Sequence, residues 1–241
     1  IMLSSGWLHP LLTPVIFLAW QPFFTLKRRI VKGVAKKSTY FLYTYLMLLV
    51  WNLISTWWIW NSTIGGMIAA NVCNALLMYL PLWYYRKFPT TKIGNLNFDN
   101  LLPAWLLFEY IHMQWDLSWS WLNLGNVFAF THHWVQWYSI TGVLGGTLWV
   151  LVINLLIKNL VNKGTTWSRY WQLAAFWVLP IIGSMVYFYA RDPHQGTAAE
   201  VVVVQPNVDP YKEKFADAET AIPASEQIKR FIALSEAKIT D

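Results

Sequence analysis

The chain has 241 residues, 56% hydrophobic, 17% aromatic and only 12% charged, against ~25% charged in a soluble domain. Its net charge of +6 hides a break: 12 of the 18 Lys/Arg precede Arg191, with only Asp99, Glu109 and Asp116 to oppose them, and the rest of the chain is net acidic. The basic balance therefore belongs to loops between apolar segments, which excludes nucleic acid as the partner it implies.

Residues 1–8 read as the end of an earlier apolar segment. Position 1 is not Met and no basic leader precedes the apolar run, so a signal peptide is not expected and the chain reads as cut at both ends. A spanning helix needs ~20 mostly apolar residues. Six segments are candidates: 10–25, 40–60, 63–85, 100–115, 137–157 and 170–190. The first holds Pro14 and Pro22, and the fourth is short. Basic residues fall in three loops: Lys27, Arg28, Arg29, Lys32, Lys36 and Lys37; then Arg86, Lys87 and Lys92; then Lys158, Lys163 and Arg169. Loops 61–62 and 116–136 carry none. This alternation predicts six spans with the basic loops in the cytoplasm and residues 191–241 on the other side.

Tryptophans cluster at segment ends, as an interfacial belt requires. The run Asn61-Ser-Thr-Ile-Gly-Gly66 reads as a tight turn between two spans. Gly142, Gly145 and Gly146 thin one face of the fifth span and would let another helix approach. The matching runs Leu49-Val-Trp-Asn-Leu53 and Leu151-Val-Ile-Asn-Leu155 are too short to establish a repeat. Cys73 stands alone in an apolar segment, with no basic or histidine neighbour to make it a thiolate, and is read as inert.

Glu109 lies inside an apolar segment, where a carboxylate is costly unless paired or facing a polar cavity. His112, three residues on, shares its helix face. The two read either as an internal structural contact or as part of a substrate cavity. The stretch 115–137 is rich in aromatics and carries only Asp116 as a formal charge. It is too polar to span and too apolar to float in water, so it is expected at the outer membrane surface, re-entrant or interfacial, where it could hold a lipid chain. His132 and His133 lack a second ligand pair, and no metal site is read there.

After position 190 the pattern changes. The apolar run 201–204 fits a strand buried on both faces of an α/β sheet, ended by Pro206 and Pro210. A helix is expected over 224–239, with a stripe of Ile228, Phe231, Ile232 and Ile239 interrupted at Ser235. The expected organisation is a transmembrane helical domain over 1–190 and the start of a second domain over 198–241.

Three stretches are similar to bacterial apolipoprotein N-acyltransferases. Val201-Val-Val-Val-Gln-Pro-Asn-Val-Asp-Pro210 resembles the opening strand of that family's nitrilase-like domain. Trp105-Leu-Leu-Phe-Glu109 with Trp121-Leu-Asn-Leu-Gly125 resembles its membrane-to-loop signature. Trp137-Tyr-Ser-Ile-Thr-Gly-Val-Leu-Gly-Gly146 resembles the following loop and span. The fold so implied is a polytopic α-helical membrane bundle of about six spans, followed by the first β-α unit of an incomplete nitrilase-like α/β domain.

The resemblance implies a multi-pass inner-membrane enzyme, monomeric, with residues 191–241 in the periplasm. It would move an acyl chain from a phospholipid to the N-terminal amine of diacylglyceryl-cysteine in lipoproteins, through a cysteine thioester and without metal or organic cofactor. The family's catalytic Glu, Lys and Cys fall beyond Asp241, so no catalytic residue is assigned here and the chain alone is expected to be inactive. What carries over is substrate binding: Trp121, Asn123 and Gly125 in the loop that shapes the acyl-donor entrance, Glu109 and His112 beneath it, and Phe215 where the family often has Trp. His112 departs from the family's usual Arg, which puts a phosphate contact there in doubt. The rival readings are a small membrane transporter, which would need several intramembrane ionisable groups, and a non-enzymatic membrane scaffold, which would not need the strand after position 200.

Overall fold

The computed structural model describes residues 1–94, 96–163, 166–191, 199–209, 212–214 and 220–238. The chain divides into two units, Ile1–Arg191 and Asp192–Asp241.

The first unit is helical. The short helix α1 (Ser5–Leu8) and a 3-10 helix (Pro10–Leu18) lead into α2 (Gln21–Val31), α3 (Thr39–Ser55) and α4 (Ile64–Lys87). A small antiparallel hairpin, β1 (Thr90–Ile93) and β2 (Leu96–Asp99), precedes α5 (Leu101–His112). Two 3-10 helices, Ser120–Leu122 and Leu124–Trp134, then lead to α6 (Tyr138–Lys163) and α7 (Trp167–Ala190). The shared core is aromatic, with Trp20, Trp51, Trp105, Tyr40, Phe17 and Phe128 fully enclosed.

Three helices among the described residues are long and apolar enough to cross a membrane: Ile64–Lys87, Tyr138–Asn162 and Trp167–Ala190. Thr39–Ser55 is apolar but shorter. The first expected span does not form as one helix. Pro14 lies within the 3-10 stretch, and an α-helix starts again only at Gln21, with proline in its first turn. Proline lacks the N–H that an α-helix interior needs, so the apolar run breaks into two pieces. The break is mended from outside: Asn154 on α6 accepts from the Trp20 backbone N–H at 3.1 Å through Oδ1 and donates to the Ile16 carbonyl at 3.0 Å through Nδ2. The fourth expected span is a helix of 12 residues, Leu101–His112.

Helices α3 and α4 pair through buried polar groups. Asn74 Nδ2 donates to Asn52 Oδ1 at 2.6 Å, and Thr56 Oγ1 donates to Asn71 Oδ1 at 2.9 Å. Such side chains act as glue between helices where lipid offers no hydrophobic contrast. The turn between them is capped by Thr63, whose hydroxyl accepts from the Gly66 N–H at 3.3 Å.

The glycines of α6 take two roles. Gly142 has φ +63° and kinks the helix after its first turn, a conformation glycine adopts at little cost. Gly146 admits the Tyr138 hydroxyl and the backbone of Gly125. What approaches α6 so closely there is the start of the 3-10 helix Leu124–Trp134.

In the second unit, Ala224–Glu236 forms helix α8, as the apolar stripe predicted; Ile239 lies outside the described residues. The expected strand over 201–204 is not formed. Residues 199–209 join no ladder, and Val201 and Val203 are 73% and 88% exposed. A strand is defined by its neighbours, and a run suited to burial on both faces has none here to pair with. Asn207 takes φ +54°, a left-handed conformation that asparagine tolerates, and the chain turns at Asp209, which bonds the Lys212 and Glu213 backbone N–H groups.

Candidate functional site

The polar centre of the first unit is Glu109. It is 1% exposed, on the inward face of α5. Trp105, one turn earlier on the same face, donates its Nε1–H to Oε1 at 2.8 Å. The Leu124 backbone N–H donates to the same oxygen at 2.8 Å, and the Thr147 hydroxyl donates to Oε2 at 2.6 Å. Thr147 also accepts from the Gly125 N–H at 3.0 Å, while the Gly125 carbonyl accepts from the Tyr138 hydroxyl at 2.8 Å. One carboxylate thus ties together α5, the start of the 124–134 helix and α6. Three donors on two oxygens satisfy a buried acceptor.

Gly125 is required at the middle of this knot. A Cβ there would overlap the Val143 carbonyl oxygen. Backbone cannot yield as a flexible side chain can, so only glycine fits.

His112 does not pair with Glu109. Its Nδ1 accepts from Trp115 Nε1 at 3.0 Å, and its ring stacks on Phe108 at 5.1 Å and 18°. The neutral ring therefore carries its proton on Nε2, and that buried atom has no hydrogen-bond partner among the described residues. It lines a cavity of ≈10 Å³ shared with Asn74, Glu109, Trp119 and Asn123. Asn74 Oδ1, Trp119 Nε1 and Asn123 Nδ2 are unpartnered there as well. That volume is about one water molecule; a lipid chain cannot enter it.

The aromatic loop folds back into the bundle. Leu122, Leu124, Val127 and Phe128 are buried, and Phe128 stacks on Trp149 at 5.1 Å and approaches Phe17 at 5.9 Å. Gly6 of α1 lies so close that a Cβ would overlap the Val127 side chain. The loop thus packs into the helical unit over 122–128. Its outer edge is Trp121, 52% exposed, edge-on to Trp58 at 5.6 Å and to Trp119 at 5.1 Å. The Trp121 carbonyl accepts from Trp7 Nε1 at 3.2 Å.

The structure thus gathers Glu109, His112, Asn123 and Gly125 around one buried knot and leaves Trp121 on its rim. Phe215 lies outside the described residues. His132 and His133 pack against Phe188, and among the described residues no three His, Cys, Asp or Glu side chains converge. Cys73 is exposed on α4. Thr147, Trp105 and Tyr138 were missed by sequence reasoning. Trp105 was findable, four residues before Glu109 on one helix face; Thr147, 38 residues away, left no local signal.

A second polar cluster sits at the basic-loop end. Lys158 Nζ pairs with Asp99 Oδ2 at 2.5 Å, and the Tyr85 hydroxyl donates to the same oxygen at 3.3 Å. Lys27 Nζ donates to the Tyr85 carbonyl at 3.2 Å and lies 3.1 Å from the centre of its ring. The cluster fastens the hairpin, which the sequence did not announce, to α2, α4 and α6. Burial pulls the Lys27 ammonium down to about 7; Asp99 opposes the shift and Lys158 adds to it.

The fold and the knot define a class: a multi-pass helical membrane protein whose buried acid anchors an aromatic loop packed into the helical bundle. The family model for the apolipoprotein N-acyltransferase N-terminal domain matches residues 1–156, well over half of the chain. A protein from Chlorobaculum tepidum described as apolipoprotein N-acyltransferase is 27% identical over 184 residues. No solved structure matches the chain. The chain belongs to the apolipoprotein N-acyltransferase family. The matched stretch covers 72% of this chain and 34% of the Chlorobaculum protein, so the chain spans about a third of that relative's length. The resemblance carried by residues 105–109, 121–125 and 137–146 falls inside the residues matched by the family model; the 201–210 stretch falls outside them.

Proposed function

We propose that the first unit is the membrane part of an inner-membrane N-acyltransferase. The whole enzyme would take an acyl chain from a phospholipid and attach it, through a thioester, to the N-terminal amine of diacylglyceryl-cysteine in lipoproteins. The observation that carries this reading is the family match to residues 1–156, which contains both the knot and the aromatic loop. In this reading residues 10–25 and the short α5 complete six spans, the tail 191–241 lies in the periplasm, and it opens a nitrilase-like domain.

The chain's share of the work is to present the acyl donor. Trp121, exposed at the loop's edge, would contact the lipid. Glu109, Asn123 and Gly125 would hold the loop's shape and act as positioning residues. His112, facing a cavity of ≈10 Å³, would support the loop from below. Cys73 is the only cysteine in the sequence and has no Arg, Lys or His among its sequence neighbours to activate it. The 241-residue chain is therefore expected to transfer no acyl group to a diacylated lipopeptide, and measurable transfer would overturn that expectation.

Photo-crosslinking tests the binding role. A benzophenone amino acid at Trp121 should label phospholipid acyl chains preferentially over one at Phe41, an exposed aromatic of α3, when the protein is reconstituted in vesicles. A lipopeptide acceptor should alter only the Trp121 signal. Equal labelling at both positions, unaffected by acceptor, would remove the loop from the proposed role.

A further inference from the structure

A cleft of ≈930 Å³ lies between α2 and α3, away from the aromatic loop, at the upper end of the ~300–1,000 Å³ that small-molecule sites occupy. Its walls are mainly apolar, formed by Leu18, Pro22, Leu26, Tyr43 and Met47 among others. At the end that meets the 32–38 loop the rim changes to Arg29 and Lys36. Neither of these cations forms an ion pair among the described residues. The segment 27–37 contains six Lys/Arg and no acid, so no carboxylate of that loop competes for them.

An apolar cleft with cations only at its mouth is complementary to a molecule with an anionic head and hydrocarbon tails. The geometry points to a binding site for an anionic phospholipid at the basic-loop end of the bundle, separate from the loop proposed to receive the acyl donor. The phosphate sits between the Arg29 guanidinium and the Lys36 ammonium, where a planar fork and a point charge suit its oxygens. An acyl chain lies along Leu26, Pro22 and Met47. Cations of this kind in a cleft between helices recognise head-group charge, not chain chemistry.

Native mass spectrometry of the purified protein tests this, by titration with phosphatidylglycerol and with phosphatidylcholine of the same chain length. Phosphatidylglycerol should be retained in preference. The Arg29→Ala/Lys36→Ala variant should lose that preference, weakening phosphatidylglycerol binding about tenfold or more and leaving phosphatidylcholine unchanged. Lys32→Ala/Lys37→Ala removes equal charge from the same loop outside the cleft and should change little. Met47→Trp narrows the cleft and should reduce retention of both lipids, with thermal unfolding curves showing that each variant is folded. Equal losses in the two double variants, no preference between the lipids, or displacement of phosphatidylglycerol by soluble glycerol phosphate would each overturn the proposal; absence of retained lipid would mean that another part of the protein covers the cleft, and would overturn it too.

Discussion

At the residue scale the centre of this protein is an acid whose function class cannot be read from its position alone. An intramembrane carboxylate suggests transport or catalysis by default. Here Trp105, Leu124 and Thr147 use both oxygens, and the group joins three elements instead of facing a path. Removing it leaves those donors buried and unpaired, at ~1–3 kcal/mol for each. Glu109→Ala should destabilise the protein by about 2–4 kcal/mol, and Glu109→Gln by less, because one oxygen still accepts from Trp105 and Leu124. Thermal unfolding in detergent measures both; a neutral Glu109→Ala would show that the knot carries no load. Gly125→Ala should be at least as damaging, since its Cβ meets the Val143 backbone. Faster hydrogen exchange over residues 120–135 would show the loop detaching. Glu109 was visible in the sequence because a lone charge in an apolar run stands out. Two of its three partners were not, because Leu124 depends on where a loop returns to the bundle and Thr147 on how α6 packs against α5.

At the element scale the legible parts were those set by local composition. The long apolar runs became α4, α6 and α7, and the stripe after Pro223 became α8. Prolines in the first apolar run were visible, but the repair of the resulting break was not. It depends on Asn154, which also donates to the Val150 carbonyl at 2.9 Å and receives Gln21 at its own carbonyl at 2.8 Å. Asn154→Leu roughly keeps side-chain volume yet strands the Trp20 N–H and leaves the Ile16 carbonyl with only the Ala19 N–H. A loss of about 2 kcal/mol is expected, read as a lower unfolding midpoint. Asn52 makes the same four-residue back-bond, to the Leu48 carbonyl at 2.8 Å, so the short matching runs around these two asparagines share local geometry even though they establish no repeat. The valine run at 201–204 gave a signal without a strand because a strand needs another segment to pair with; the hairpin pairs neighbouring residues, Ile93 with Leu96, but its strands are only four residues long and too polar to show a clear alternation.

The basic-loop cluster adds a pH dependence at this scale. Lys27 is lowered from 10.5 to about 7 in the folded protein. Between those values the unfolded chain binds more protons at this group than the folded one, so stability rises as pH increases from about 7 towards 10. Below pH 7 the buried ammonium is charged in both states and the burial penalty is fully present. The Tyr85 ring beneath the amine favours its charged form and moderates the effect. Lys27→Met should raise the unfolding midpoint at pH 7 and flatten its climb towards pH 10; an unchanged slope in the variant would assign the dependence to other groups.

At the scale of the whole molecule, orientation follows from charge and is independent of the hydrogen-bond detail. The three basic loops and the two that lack Lys and Arg alternate along the chain, and a membrane potential with anionic lipid inside holds the basic ones there. In the proposed orientation the aromatic loop and the proposed lipid cleft would be on opposite sides of the bilayer, one facing the leaflet proposed to meet lipoproteins and the other the leaflet proposed to bring anionic head groups to Arg29 and Lys36. Cysteine accessibility decides this directly. In a Cys73→Ser background, Asp116→Cys should react with a membrane-impermeant maleimide in intact cells, and Lys37→Cys should react only after the membrane is opened. Replacing a basic side chain at position 37 removes one of six charges in its loop, which leaves the bias intact. The reverse pattern would place the knot and its loop in the cytoplasm, away from any lipoprotein amine, and the proposed acyl-donor role of Trp121 would fail with it, whereas the cleft between α2 and α3 would keep its ligand and change only its leaflet.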